Sequence, residues 1–135
     1  MDICGISILN VGHNRYLFTL IAYNTLPFID CLFKPDYAGG IVEVARAIYT
    51  SKDKINYNTL LEYAKKFDSQ AVIKRLGFLL ETLDINTQII QELQQMKTAS
   101  YVVLDTELPK AGKRISRWSL QQNLETETIK SSIYT

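Results

Sequence analysis

The densest grouping of residues that could do chemistry lies in "LPKAGKRISRWSLQQN". Lys110, Lys113, Arg114 and Arg117 fall within eight residues with no acid among them, and the sole tryptophan, Trp118, follows directly. Cations at this spacing can grip phosphates or an acidic protein surface. Four phosphate contacts give a salt slope of about −3 to −4, which supports weak, non-specific nucleic-acid binding. The plainer alternative is a solvated hairpin loop. Trp118 is expected in the core, because indole buries a large area and alternation places it with Leu120.

Other chemistry is sparse. Cys4 and Cys31 lack CxxC spacing, and the single His13 does not complete a metal set with them, so no metal and no cofactor is expected. Asp30, Asp36, Glu43, Glu62 and Glu81 show no paired-carboxylate motif. With no nucleophile elbow and no P-loop either, a non-enzyme is expected. The glycine pair Gly39–Gly40 has no preceding strand and no following Lys-Ser/Thr, so helix entry suits it better than phosphate binding. Arg75 lies near an apolar helix face and is expected to pair with Asp30, Glu81 or another acid. Asp30, flanked by apolar residues in "FIDCLF", needs such a partner if buried. The helix faces around Lys74 and Gln91 are expected to be exposed and to offer a second contact surface.

Composition bounds the class. The chain has 135 residues, of which 47% are hydrophobic, and a net charge of +1. That is enough apolar content for one packed domain. Taking the four cations of the basic stretch from +1 leaves −3 on the rest, so the positive charge is local. Apolar runs are too short for a membrane span, and no signal-peptide pattern is present. A reduced, cytoplasmic protein without membrane contact is expected.

The elements that must position these residues read as α+β. "DICGISIL" and "YLFTLIAY" around "NVGHN" predict a β-hairpin over 3–23, with His13 in its turn. Its apolar strand should either pack on the helices or pair two copies into a homodimer. About five short helices follow: "LPFIDCLF", "GGIVEVARAIYTS", a segment capped by Asn56 or Asn58, "SQAVIKRLGFLLETL" capped by Asp68 or Ser69, and "NTQIIQELQQMK". Gly77 sits mid-helix in the fourth, at a cost of about 1 kcal/mol relative to alanine, and close approach of a neighbouring helix should compensate. "SYVVLD" and "RWSLQQN" predict a C-terminal antiparallel strand pair across a loop that holds Pro109 and Gly112. Residues 124–135 are expected to form a fraying polar tail.

Three segments in order, "FIDCLFKPDYAGGIVEVARAI" (28–48), "AVIKRLGFLLETL" (71–83) and "YVVLDTELPKAGKRISRWSLQQN" (101–123), resemble the C-terminal domain of the abortive-infection AbiE-type antitoxins. These are transcriptional regulators of prokaryotic type IV toxin–antitoxin systems. The matching positions are Asp30, Pro35, Gly39 and Gly40, then Arg75, Leu76, Gly77 and Leu80, then Leu104, Asp105, Pro109, Gly112, Arg117, Trp118 and Asn123. None of these is catalytic in the family. The resemblance implies an antitoxin-type domain over 25–123, linked functionally to a nucleotidyltransferase-like toxin without requiring a stable complex. Thr25-Leu26-Pro27 departs from the Glu-Arg-Thr usual in the family. Residues 1–24 are unmatched and are expected to hold no winged helix-turn-helix, so operator binding is not carried over. The alternative readings are a nucleic-acid-binding module built on 110–117, and a relic scaffold without activity.

Overall fold

The computed structural model describes residues 26–133. The hairpin expected over 3–23, with His13 and Cys4, lies outside them. Six α-helices and a three-stranded sheet follow one another: α1 (Leu26–Phe33), a 3-10 turn (Pro35–Ala38), α2 (Ile41–Ser51), α3 (Tyr57–Phe67), α4 (Gln70–Thr82), α5 (Ile89–Met96), β1 (Val102–Val103), β2 (Lys113–Ile115), β3 (Leu120–Gln122) and α6 (Thr126–Ile133). The class is α+β, as expected. No described helix is long and apolar enough to cross a membrane.

Local chemistry sets the boundaries. Asn56 caps α3 by accepting from the Thr59 amide at 3.1 Å, and Ser69 caps α4 by accepting from Val72 at 3.4 Å. Asp68 instead closes α3 in the left-handed region, with φ 56°. Gly39 and Gly40 have φ of 92° and 113°, which turn the chain from the 3-10 segment into α2. Helix entry is therefore their role.

α4 organises the rest. Every residue from Val72 to Leu80 is buried, not one face alone, because α1, α5 and the residues before β3 surround the helix. Its full enclosure forces two cations, Lys74 and Arg75, inside the protein. Cys31 on α1 is buried too.

The sheet differs from the expected antiparallel pair. β1 runs parallel to β3, with Val102 opposite Leu120 and Val103 opposite Gln121. β2, inside the supposed loop, pairs antiparallel with β3 on the other side, giving the order β1-β3-β2. The sequence conceals this because β2, "KRI", is a short edge strand whose first two side chains are exposed, and it shows no apolar alternation. β3 begins only at Leu120. Arg117–Ser119 form a turn, and Ser119 has φ 51°. Trp118, Ser119 and Leu120 are consequently all buried, where simple alternation would have exposed Ser119.

The tail is also corrected. Residues 126–133 form α6, which packs on α2 with Ile129 fully buried. One apolar residue per turn suffices to dock so short a helix, too weak a pattern to stand out among "ETETIKSS".

Candidate functional site

Arg75 is the hub of the buried polar structure. It is 3% exposed, and its guanidinium meets backbone carbonyls instead of the carboxylate expected. Nη1 donates to Leu32 O and Phe33 O, both at 2.9 Å, at the end of α1. Nε and Nη2 donate as a fork to Val103 O of β1, at 3.1 and 2.9 Å. The last carbonyls of a helix lack intrahelical partners and carry the negative end of its dipole, so a cation placed there joins α1 to α4 and to the sheet. Burial lowers the Arg75 pKa to about 10, opposed by Asp105 and Asp36, and the side chain stays charged at neutral pH. Asp30 is buried, and the hydrogen bonds of Arg75 go to carbonyls and not to it.

Gly77 provides the second join. The indole of Trp118, 1% exposed, lies flat on it. The close neighbour is therefore a ring from the turn before β3, not the helix the sequence suggested. The edge of the same indole donates from Nε1 to Glu81 Oε1 at 2.6 Å. Glu81 also holds Arg117: Nε donates to Oε1 and Oε2 at 2.8 and 2.9 Å, and Nη2 donates to Oε2 at 2.5 Å. Hydrogen bonding from Arg117 holds the Glu81 carboxyl below its ordinary range, against the opposing effect of burial, with further help from Trp118. The Arg117 guanidinium is raised in turn by Glu81.

The basic stretch thus divides. Arg117 is matched by an acid 36 residues earlier in the chain, a pairing that inspection of neighbouring residues could not reveal. Lys110, Lys113 and Arg114 are exposed. Arg114 rests over the Tyr101 ring at 5.1 Å. Of the second surface expected on the helices, Gln91 is exposed, but Lys74 is 0% exposed. Its Nζ donates to Ser100 O, to Thr98 Oγ1 at 3.2 Å and to Ser100 Oγ at 3.4 Å, fastening the strand entry to α4. Burial, and secondarily the charge of Lys97, lowers its pKa. Sequence reasoning missed this because a lysine within an amphipathic helix is ordinarily solvated.

Asp105 completes the frame. Its Oδ2 accepts from the Ile41 amide at 3.2 Å, at the start of α2, and Oδ1 accepts from the Glu107 amide at 2.9 Å. Asn123 Oδ1 accepts from the Asp105 amide at 2.9 Å, and its Nδ2 donates to the carbonyls of Asp105 at 2.8 Å and Pro109 at 3.1 Å, fixing the exposed loop that holds Pro109.

These buried polar groups serve the backbone of neighbouring elements and do not converge on a cleft. Among the described residues, no group of three or more His, Cys, Asp or Glu side chains could hold a metal ion. Open, shallow grooves surround the turn after α4, lined by Glu81, Asp84, Asn86, Thr87 and Gln91 among others. No protein-family model, curated protein or solved structure matches the chain.

Proposed function

We propose that the chain is a non-catalytic antitoxin-type domain, akin to those of AbiE-type regulators of type IV toxin–antitoxin systems, acting in the cytoplasm against a nucleotidyltransferase-like toxin. The observation that carries this reading is that the three resembling segments meet one another through the very residues that carry the resemblance. Arg75 of the second segment bonds the α1 end in the first and β1 in the third. Trp118 of the third seats on Gly77 of the second. Asp105 of the third caps the helix that Gly39 and Gly40 of the first introduce.

On this reading the pattern residues form a scaffold, and the activity belongs to its surface. The test is co-expression. A nucleotidyltransferase-like protein encoded beside this chain should arrest growth alone, and the folded chain should restore it. Continued arrest despite abundant, folded chain would overturn the proposal.

A further inference from the structure

Among the described residues, an aromatic band lies outside the core, with opposite charges at its two ends. We propose that two copies of the chain associate through this band about a two-fold axis, with Arg114 of each copy against Asp36 of the other. The proposal does not depend on the antitoxin reading.

The strand register and one buried guanidinium define the band. Val102, Leu120 and Ile115 form one row across the sheet, and they pack toward the core. Val103, Gln121 and Arg114 form the next row and face the other way. Tyr101 precedes Val103 by two residues and shares its face. It is 38% exposed, and the Arg114 guanidinium lies 5.1 Å from its ring centroid. Arg75 donates to Val103 O and to Phe33 O, both at 2.9 Å, so the end of α1 runs alongside β1. Phe33 is the most exposed large apolar side chain among the described residues, at 45%, and its ring centroid lies 5.1 Å from that of Phe67 on α3. Phe33, Val103 and Tyr101 take no part in the apolar core. Together they carry an apolar surface from the α1 end onto the outer face of the sheet.

Charge selects the occupant. Asp36 marks the α1 end of the band: it follows Phe33 by three residues, is exposed, and accepts from Thr106 Oγ1 at 2.6 Å. Arg114 marks the other end, on the strand farthest from β1. The ion pairs among the described residues are Lys65–Glu92 and Arg117–Glu81, so neither Asp36 nor Arg114 is in an ion pair there. A two-fold axis near Val103 runs the two bands antiparallel. It brings each Arg114 to the other copy's Asp36 and each Phe33 to the other copy's Tyr101, so both charge contacts form twice. A different protein would have to supply the same groups in the same order, which a second copy does by symmetry. Nucleic acid would meet a carboxylate at one end and a single cation at the other, a poor phosphate path.

Sedimentation equilibrium of the full chain across a range of concentrations tests the proposal. The parent should dimerise. Phe33→Ser with Tyr101→Ser should weaken the dimer more than about tenfold, while circular dichroism and Trp118 fluorescence remain those of the parent. Arg114→Asp and Asp36→Arg should each weaken it about tenfold, because each sets like charges against one another twice across the axis. An equimolar mixture of those two variants should recover the affinity of the parent, since both cross-axis pairs are then of opposite sign. If Asp36→Arg lowers the urea midpoint, Arg114→Asp, which touches no core residue, decides the charge contact alone. The proposal is overturned if the parent is monomeric throughout, if the Phe33→Ser, Tyr101→Ser chain dimerises as the parent does, if Arg114→Asp leaves the dimer unchanged, or if the mixture of folded charge variants associates no better than either alone.

Discussion

A side-chain carbon added to Gly77 would lie 2.2 Å from both Cη2 and Cζ3 of Trp118. The ring cannot swing aside without leaving a buried site and its bond to Glu81. In an unconstrained helix, Gly→Ala stabilises by about 1 kcal/mol. Here the sign should reverse, and Gly77→Ala should lower the urea-unfolding free energy by about 2 kcal/mol or more. Trp118→Ala alone should cost about 3–5 kcal/mol. In the Trp118→Ala background, Gly77→Ala should be neutral or stabilising. Additive losses in the double variant would show that the two residues do not constrain each other.

The Glu81 carboxylate, held down by Arg117 and Trp118, makes stability depend on pH in a defined direction. A depressed folded-state pKa contributes stability that is complete above the unfolded glutamate value of about 4.3 and is lost as pH falls through the folded value. Glu81→Gln should therefore be less stable than the parent at about pH 7, and the difference should shrink toward about pH 3. Urea midpoints at the two pH values check this. A difference that is constant with pH would show that ionisation of Glu81 is irrelevant.

Arg75→Lys preserves charge but not the fork. One ammonium cannot serve both the α1 terminus and Val103, so at least one buried carbonyl loses its partner. The expected cost is about 2–4 kcal/mol in equilibrium unfolding. A loss under about 0.5 kcal/mol would place the contribution of Arg75 in its charge alone, as for an ordinary surface cation.

Ile129 separates a docked C-terminal helix from a frayed one. Fully buried against the core, it should cost about 2–4 kcal/mol when replaced by alanine. An unchanged unfolding midpoint would return residues 126–133 to the status of a tail.

What was legible in the sequence was whatever depends on local pattern. The apolar stripes and the caps at Asn56 and Ser69 identify α3 and α4. The size of Trp118 and its neighbour Leu120 place the indole in the core. What was hidden depends on partners far away in the chain. Arg117 looks like one of four free cations until Glu81 is brought beside it. Arg75 invites a carboxylate, yet the fold supplies helix-end carbonyls. Lys74 resembles a solvated lysine because nothing local reveals that α4 is enclosed on all sides. Parallel pairing of β1 with β3 is equally invisible, since two- and three-residue strands carry no periodicity to read. The basic stretch was legible only in part: Lys110, Lys113 and Arg114 are exposed, while the contact of Arg114 with Tyr101 across the sheet has no local signal.

The most direct measurement of the central claim is growth under graded induction of a nucleotidyltransferase-like protein, where one is encoded beside this chain, with the intact chain expressed alongside. Circular dichroism on the purified chain, with buried-indole fluorescence from Trp118, establishes that it is folded. The antitoxin reading predicts normal growth at toxin levels that arrest cells carrying an empty vector, with weaker protection from the destabilised variant Trp118→Ala. Growth arrest that is unchanged by an abundant, folded chain would contradict it.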